Sequence, residues 1–348
     1  MSIRKTFFDQ ANACSALGSP FTGKLLELLG QNLSRETAIG ARVLDWQGDA
    51  SNHGDAVALR LAGALHALVL QKKHATLTEA YPPNDASEDQ LWQAVQCALR
   101  ENAGQIQQWM NSPPQTNEVR RSAALMPVFL SLQEQFGLPL VTSELGASAG
   151  LNLNWDMFHL TLNNVGFGKP SSTVHLSPSW TGPLPPNCPP AVIGKAGCDL
   201  NPLDPEHDSL RLRAYIWPDQ TARMARTKAA IEIARKQQVP VACSDAESWL
   251  KQRLATRHTG AVHVVYHTIA WQYFPKDTQM ACTTALHAAG EAATPNAPIA
   301  WVSLEADGKG HGAGLRAMVW PPGQEYDLGR ADFHGRWVNW NGFTSRHR

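Results

Sequence analysis

LPLVTSELGASAGLNL, residues Leu138–Leu153, lies near the middle of the chain and sets its fold. The apolar start predicts a short strand buried in a parallel sheet, with the acid Glu144 at its end. The small residues that follow predict a tight turn that opens a helix. Gly146 and Gly150 can adopt backbone angles closed to other residues, and neither has a side chain to block a ligand. In open α/β sheets, nucleotide-like ligands bind where a strand ends in such a turn.

The letters of the turn leave three interpretations open. The Glu-x-Gly-x-x-x-Gly pattern is that of the nucleotide-type fingerprint of class I S-adenosylmethionine-dependent methyltransferases, in which Glu144 faces polar groups of the ligand. The stretch Gly146–Gly150 also matches the G-x-S-x-G elbow of serine hydrolases, with Ser148 as nucleophile. The third interpretation is a strand-to-helix turn without a ligand. A P-loop is excluded, because no Gly-Lys-Ser/Thr closes the turn.

Composition narrows the class of protein. The 348 residues are 43% hydrophobic and 17% charged, which is typical of a globular protein. Thirty basic and thirty acidic residues balance, which argues against nucleic-acid binding as the main activity. No apolar run approaches the roughly 18 residues of a membrane span, and no signal peptide is visible. Six cysteines without C-x-x-C spacing indicate buried thiols, so a cytoplasmic protein without membrane partners is expected.

The pattern of periodicity predicts two domains. Residues 1–136 show helical spacing and almost no strand signal, which predicts an all-helical cap domain. Residues 137–348 alternate short apolar runs with helices, which predicts an α/β domain with a mostly parallel, right-handed sheet. A stretch rich in Pro, Ser and Gly at about 155–190 predicts an irregular insertion. Leu315–Trp320 and Arg336–Trp340 predict a closing antiparallel pair.

Strand order favours the nucleotide-type interpretation of the turn. An elbow serine follows a strand that already has sheet strands before it, whereas nothing before Leu138 has a strand pattern. The turn therefore follows the first strand of the sheet. This position is natural for a nucleotide-binding turn and awkward for a hydrolase elbow.

Acids at the ends of successive predicted strands support this interpretation. Asp199 follows the second strand, where a carboxylate can accept hydrogen bonds from a ribose diol. Asp245 and Ala246 follow the third, where an acid and a backbone amide can meet an adenine edge. The carboxyl ends of the strands line one crevice of a doubly wound sheet. A single Asp at such a position also suits a helix cap or a solvated turn, which is the alternative for each.

Residues after the fourth strand are candidates for chemistry. His267 can move a proton near neutral pH, and Trp271 and Tyr273 can stack on a ligand. The alternative is a packed aromatic cluster with a histidine satisfied by the protein. His263 and His267 form an H-x-x-x-H pattern, but in a strand they lie roughly 13 Å apart, so no metal site is predicted.

A polar segment precedes the core strand. Asn117, Glu118 and Arg120 lie at a predicted helix start and are candidates for contacts with substrate or with the cofactor's carboxylate. The alternative is capping and a solvated face. The candidates for a general base are His267, Glu118 and Tyr273.

Several blocks of sequence resemble a known family. PPQTNE (Pro113–Glu118), ELGASAGLNL (Glu144–Leu153), GCDLNPLD (Gly197–Asp204) and WPDQ (Trp217–Gln220) are similar to signature blocks of a bacterial family of unknown function. The resemblance runs from near the N-terminus to about Trp320. That family is itself similar to class I methyltransferases, so the resemblance implies a Rossmann-like methyltransferase sheet that closes with an antiparallel strand, behind an N-terminal helical cap.

The resemblance also implies a cofactor and its ligands. S-adenosylmethionine would be held by ten residues: Glu144, Gly146, Ala147, Ser148, Gly150, Asp199, Leu200, Asp245, Ala246 and His267. The sequence departs from the methyltransferase pattern in two places. About fifty residues separate Gly150 from Asp199, where roughly twenty are usual, and little room remains for a helix before Leu315.

We therefore expect an S-adenosylmethionine-dependent methyltransferase that acts on a small molecule held between cap and sheet. A non-catalytic S-adenosylmethionine-binding or regulatory protein on the same fold is the alternative. A serine hydrolase using Ser148 is the third.

Overall fold

A computed structural model describes residues 2–343, which form a mixed α/β protein with a large, mostly parallel sheet. The α-helices are α1 (Ile3–Ala16), α2 (Pro20–Asn32), α3 (Ala38–Leu44), α4 (Val57–Leu70), α5 (Ala75–Glu79), α6 (Glu88–Glu101), α7 (Ala103–Met110), α8 (Ser122–Phe136), α9 (Ser209–Ala214), α10 (Thr221–Gln237), α11 (Ala246–Leu254) and α12 (Lys276–Glu291). The strands are β1 (Leu140–Leu145), β2 (His159–Leu162), β3 (Val165–Gly168), β4 (His175–Leu176), β5 (Ser179–Thr181), β6 (Val192–Asp199), β7 (Val241–Cys243), β8 (Val262–Thr268), β9 (Ile299–Glu305), β10 (Ala313–Trp320), β11 (Gln324–Ala331) and β12 (Trp337–Trp340). None of the described helices combines the length and apolar character needed to cross a membrane.

The chain forms two compact units. The first contains Met1–Thr116 and His207–Lys228, and the second contains Asn117–Glu206 and the chain from Ala229 onward. This division differs from the predicted boundary near residue 136. Helix α8 belongs with the sheet because it buries an apolar face against it, with the ring of Phe129 5.2 Å from that of Tyr266 on β8.

The first unit is helical in the described residues and has its own apolar core. Helix α4 is buried along most of its length and packs against α7 and α9. Gly63 lies so close to the ring of Tyr215 that a Cβ there would be 2.4 Å from it. His66 Nδ1 donates a hydrogen bond to the carbonyl oxygen of Ala214 at 3.1 Å, and burial lowers the pKa of His66 to about 4. These contacts explain why the segment after Glu206 belongs to this unit.

The second unit is built on a nine-stranded sheet with the order β5-β12-β11-β10-β9-β8-β1-β6-β7. β1 lies between β6 and β8 and is parallel to both, with Glu144 opposite Gly197 on one side and Tyr266 on the other. β6 pairs in parallel with β7, and β8 with β9. All six residues of β1 are buried. The predicted buried parallel strand and its four parallel companions are therefore confirmed.

The predicted closing pair is wrong. Strands β10 and β12 do not pair with each other, because β11 lies between them and is antiparallel to both. In β11, exposed Glu325 and Asp327 alternate with buried Tyr326 and Leu328. This alternation is typical of a strand with one solvated face, and the acids on that face obscure the apolar pattern.

The structure also differs from the sequence predictions around the insertion. β2, β3 and β4 form a small sheet of their own, and β5 joins the edge of the large sheet, within the segment predicted to be irregular. The turn after β1 opens a 3₁₀ segment, Leu151–Met157, and not the predicted α-helix. Side chains of Asn152 and Asn154 bond to backbone carbonyl groups there, which competes with regular helix formation.

Candidate functional site

The turn after β1 is held to the end of β6 through its backbone. The N–H groups of Gly146 and Ala147 both donate to the carbonyl oxygen of Cys198, at 2.9 and 3.0 Å. Gly146, Ser148 and Gly150 adopt left-handed conformations, with φ of 70°, 53° and 65°. That conformation is easy for glycine and uncommon for serine. The turn is therefore compact and fixed in place.

Asp199 binds this turn directly. Its Oδ2 accepts a hydrogen bond from the backbone N–H of Ser148 at 2.8 Å, and its Oδ1 accepts one from Asn201 N–H at 2.9 Å. The carbonyl oxygen of Asp199 accepts from Ser244 N–H, which links β6 to the segment before α11. A carboxylate offers about four acceptor positions, so capacity remains at both oxygens. The next side chain, Leu200, is 65% exposed.

The protein itself covers the side-chain faces of the two glycines. A Cβ on Gly146 would lie 2.6 Å from the Cβ of Ala270, and one on Gly150 would lie 2.8 Å from Val241 Cγ2. Close packing and backbone conformation therefore explain why glycine occupies these positions. The prediction that both glycines leave space for a ligand does not hold on those faces. Any ligand at the turn must approach it from another side.

Glu144 is buried at the end of β1, with 2% of its surface exposed. The hydroxyl of Tyr266 donates to Glu144 Oε2 at 3.2 Å. Burial raises the pKa of Glu144 to about 8, against the opposing effects of the Tyr266 hydrogen bond and the positive charge of Arg121. The pKa of Tyr266 is raised well above its usual value, chiefly by burial. Glu144 is therefore largely protonated at neutral pH.

The predicted substrate-binding segment is attached to the turn by hydrogen bonds. Asn117 Oδ1 accepts from the N–H of Leu151 at 2.8 Å. Asn152 Nδ2 donates to the carbonyl oxygen of Glu118 at 3.2 Å, and Ser122 Oγ donates to Asn152 Oδ1 at 2.7 Å. Asn117 thus supports the turn structurally, which agrees with the capping alternative.

The charged residues that follow Asn117 in the chain differ in burial and in hydrogen bonding. Glu118 is buried, and its Oε1 accepts from the N–H of Arg120 at 3.0 Å. Arg120 is partly buried, and its guanidinium makes no hydrogen bond or ion pair with the described residues. Arg121 donates from Nη1 to the carbonyl oxygen of Thr268 at 3.1 Å and from Nε to that of Phe333 at 3.0 Å. Among these residues, Arg120 has the side chain that is most available to a ligand.

Both ring nitrogens of His267 are engaged by the protein. Nδ1 lies 2.7 Å from Glu305 Oε1, and the indole N–H of Trp301 donates to Nε2 at 3.0 Å. Because Nε2 accepts, the neutral ring carries its proton on Nδ1 and donates it to Glu305. The same Glu305 oxygen accepts from the N–H groups of Ala270 and Trp271, and His267 stacks on the Trp271 ring at 4.6 Å. This geometry favours the packed-cluster alternative and disfavours His267 as a general base.

The remaining predicted residues differ in their burial. Asp245 caps α11 by accepting a hydrogen bond from Ser248 N–H at 2.8 Å, and this bond lowers the pKa of Asp245. Ala246 is buried behind it. Tyr273 is 72% exposed, so its hydroxyl can reach only a ligand at the surface. Asp245 thus performs the capping role named as its alternative.

A hydrolase site is not assembled around Ser148. Its Oγ is buried and has no hydrogen-bond partner among residues 2–343. A serine nucleophile needs an adjacent base within hydrogen-bond reach. The left-handed backbone resembles that of an elbow, but the catalytic partners of Ser148 are missing from the part of the chain that the structure describes.

One cluster in the first unit has the residue types of a metal site. Ligand atoms of His74, Cys97 and Glu101 lie within 4.8 Å of one another. However, His74 Nδ1 accepts a hydrogen bond from Leu77 N–H at 3.0 Å, so the neutral ring carries its proton on Nε2. That nitrogen therefore has no free lone pair for a metal, and we assign no metal to this cluster.

Comparison with known proteins identifies the family. The model of a family described as uncharacterized protein conserved in bacteria (DUF2332) matches residues 4–340. The chain belongs to this bacterial family. The predicted family membership is thus confirmed over nearly the whole chain. A search of curated proteins gave no match to it.

In this DUF2332 protein, sequence reasoning missed three residues that build the site. Asn152 links the turn to the segment before α8, Arg121 bridges to the end of β8, and Glu305 fixes the segment after β8. Asn152 carried a signal, since it is a polar residue inside the apolar run LNLNW. Glu305 carried one too, as another acid at the end of a predicted parallel strand.

Proposed function

We propose that this DUF2332 protein has a Rossmann-like class I methyltransferase sheet, binds S-adenosylmethionine at the carboxyl ends of β1, β6 and β7, and transfers its methyl group to a small molecule. The strand order supports the proposal. β6 and β7 lie on one side of β1, and β8 and β9 on the other, all parallel. The order therefore reverses at β1, and ligands of doubly wound sheets bind at such a reversal.

The observation that carries the proposal is the contact between the turn and Asp199. Ser148 N–H donates to Asp199 Oδ2 at 2.8 Å, so a turn and an acid lie side by side at the carboxyl ends of β1 and β6. The unused acceptor positions of Asp199 suit a ribose diol. Leu200, exposed beside it, offers an apolar surface for an adenine ring.

Other polar groups near the turn fit the same cofactor. Ser148 Oγ is buried without a partner, and Glu144 Oε1 makes no hydrogen bond within residues 2–343. Arg120 offers an uncommitted cation for the cofactor's carboxylate. A positively charged amino group beside Glu144 would favour ionisation of its carboxyl, so binding would release a proton near neutral pH. When bound, the cofactor supplies an electrophilic methyl group.

Methyl transfer depends mainly on alignment of the nucleophile with the methyl carbon and sulfur. The contacts of the candidate bases do not favour proton abstraction by any of them. His267 binds Glu305 and Trp301, and Glu118 binds the backbone of Arg120. The third candidate, Tyr273, is exposed at the surface. We therefore propose a substrate whose nucleophile needs no deprotonation by the protein, such as a thiolate or a neutral amine. The same observation favours the second candidate function, a protein that binds S-adenosylmethionine without catalysis.

The proposal includes a cytoplasmic location, where S-adenosylmethionine is made and used. All six cysteines are free thiols, which agrees with a reducing compartment. A small-molecule partner agrees with the balanced charge of the chain.

Calorimetry tests cofactor binding. We expect the full chain to bind S-adenosylmethionine and S-adenosylhomocysteine, and Asp199→Asn to weaken both by about 10- to 100-fold, the value of hydrogen bonds to a charged group. Glu325→Gln is the matched control, since it removes one exposed carboxylate from β11. Absence of heat with either ligand, or equal affinities for the two variants, would refute the proposed cofactor site.

Turnover separates the two candidate functions. Protein that binds the cofactor is incubated with radiolabelled S-adenosylmethionine and pools of small thiols and amines, and S-adenosylhomocysteine release is measured. Release that depends on a pool and is lost in Asp199→Asn supports the enzyme. Binding of S-adenosylmethionine with no S-adenosylhomocysteine release in the presence of any pool supports the non-catalytic protein.

A further inference from the structure

A pocket lies in the unit that contains the sheet, at the opposite ends of the strands from the turn. It borders the first residues of β8 and β9 and has a cavity volume of about 70 Å³. Seven of its eleven lining residues are apolar, including Leu254, Ala293 and Ile299, and no acidic residue lines it. Its polar lining comes from Thr256, Arg257, His258 and His263.

His263 presents a hydrogen-bond donor to this pocket. It is 3% exposed, and its Nε2 lies 2.8 Å from the hydroxyl of buried Ser143. Ser143 Oγ accepts a hydrogen bond from Arg253 Nε at 2.9 Å, and within residues 2–343 its proton has no acceptor other than His263. Ser143 therefore donates to Nε2, which leaves the proton of the neutral ring on Nδ1. No described group pairs with that Nδ1–H.

His258 adds a second unsatisfied group. Its ring meets that of His263 edge-to-face at 4.8 Å, and its Nε2 is buried without a hydrogen-bond partner in the described chain. Buried polar atoms are nearly always paired, so each such group in a fold requires an explanation. A ligand that accepts hydrogen bonds would satisfy the Nδ1–H of His263, and it would satisfy His258 in the tautomer that carries its proton on Nε2.

The surroundings are positively charged without compensation. Arg253 is half-buried, and no described carboxylate lies within ion-pair distance of it. Desolvation lowers the pKa of Arg253 and of both histidines, and it lowers that of His263 to about 3. The positive charge of Arg253 lowers the pKa of both histidines further, and His258 has the same effect on His263. Arg257 at the rim donates one hydrogen bond to the carbonyl oxygen of Ala292, and its other N–H groups can bind a ligand. An anion would relieve this excess of positive charge.

We infer that this pocket is a binding site for a small organic monocarboxylate with a short apolar body. The carboxylate accepts hydrogen bonds from His263 Nδ1, His258 Nε2 and the guanidinium of Arg257, and the alkyl part contacts the alanine-rich wall. A single guanidinium at the lining matches one negative charge better than the two of phosphate. This site is distinct from the proposed cofactor site and does not depend on it.

Nuclear magnetic resonance of the histidine rings tests the site. Full-length protein with ¹⁵N-labelled histidine is titrated with butyrate, with neutral butyramide and with inorganic phosphate. We expect His263 to show the Nδ1–H tautomer before titration, and the His258 and His263 nitrogen signals to shift saturably with butyrate. Butyramide and phosphate should each bind at least about tenfold more weakly, since they lack the charge or the apolar body.

Three variants complete the test. Arg257→Gln should weaken butyrate by about tenfold, and Ala293→Leu should abolish binding by filling the pocket while keeping every charge. Lys251→Gln removes an exposed cation of α11 that pairs with Glu247, and it should bind like the parent protein. Thermal unfolding of each variant identifies any that misfold.

The titrations and variants either support the carboxylate site or overturn it. Saturable butyrate binding with the expected order of ligands and variants supports the site. An Nε2–H tautomer at His263, equal binding of butyramide, tighter binding of phosphate, or butyrate binding unchanged by both Arg257→Gln and Ala293→Leu would overturn it.

Discussion

Replacement of Glu144 by glutamine should stabilise the protein, and increasingly so as the pH rises. In the unfolded chain the carboxyl titrates near its ordinary value of 4.5, whereas burial raises its folded-state pKa to about 8. Since the folded value is the higher one, stability is complete below pH 4.5 and is lost as the pH rises toward 8. A difference of one between the two pKa values corresponds to about 1.4 kcal/mol, so the loss between pH 5 and pH 8 is about 3 to 4 kcal/mol. Glutamine keeps an oxygen for the Tyr266 hydroxyl and has no charge to bury.

Urea unfolding at pH 5 and at pH 8 measures this difference. We expect Glu144→Gln to gain about 3 kcal/mol over the parent protein between these two pH values, whereas Glu325→Gln, at an exposed site, should gain nothing. A parallel pH dependence for Glu144→Gln and the parent would mean that Glu144 is ionised in the fold. That result would refute a raised pKa for the buried carboxyl of Glu144.

Three further predictions concern the turn and its supports. Gly146→Ala should cost about 2 to 5 kcal/mol in urea unfolding, because it adds a left-handed alanine and places a Cβ 2.6 Å from that of Ala270. Gly137 has φ of 62° and open space around it, so Gly137→Ala should cost only about 1 to 2 kcal/mol. Adding Ala270→Gly to Gly146→Ala should restore part of the lost stability. Equal costs for Gly146→Ala and Gly137→Ala would contradict the packing explanation. Glu305→Ala should cost about 3 kcal/mol, since three donors lose their acceptor. Glu305→Gln should cost less. If Glu305→Ala left the free energy of unfolding unchanged, the proposed supporting role of Glu305 would be wrong. A fluorophosphonate probe should leave Ser148 unlabelled, because no base contacts its Oγ, and labelling detected by mass spectrometry would restore the hydrolase interpretation.

The sequence predicted the parallel part of the sheet well, because buried parallel strands are continuous apolar runs. Residues 140–145 and 262–268 have apolar residues on both faces of the strand, and every residue in both strands is buried. β11 was missed for the opposite reason. It has one solvated face, and the acids on that face are as typical of a loop as of a strand.

The candidate site was predicted less completely than the sheet. The position of Asp199 beside the turn follows from the register of parallel strands, and the structure has the two in contact at 2.8 Å. The partners of His267 do not follow from the sequence, because Trp301 and Glu305 come more than thirty positions later and meet it only through the pairing of β8 with β9. Asp245 was a candidate for ligand binding and a cap by residue type alone, and only its contact with Ser248 separates the two roles.

By itself, the sequence determined the five parallel strands of the large sheet and the helical character of the first unit, and showed that acids end several strands, because periodicity and chain order are local properties. Tertiary structure decided what each polar group touches. It covered the faces of Gly146 and Gly150 with protein side chains, engaged both nitrogens of His267, and left Ser148 Oγ without a partner among the described residues. The physical reason is that hydrogen bonds and close contacts join residues distant in sequence, and their geometry exists only once the sheet has paired.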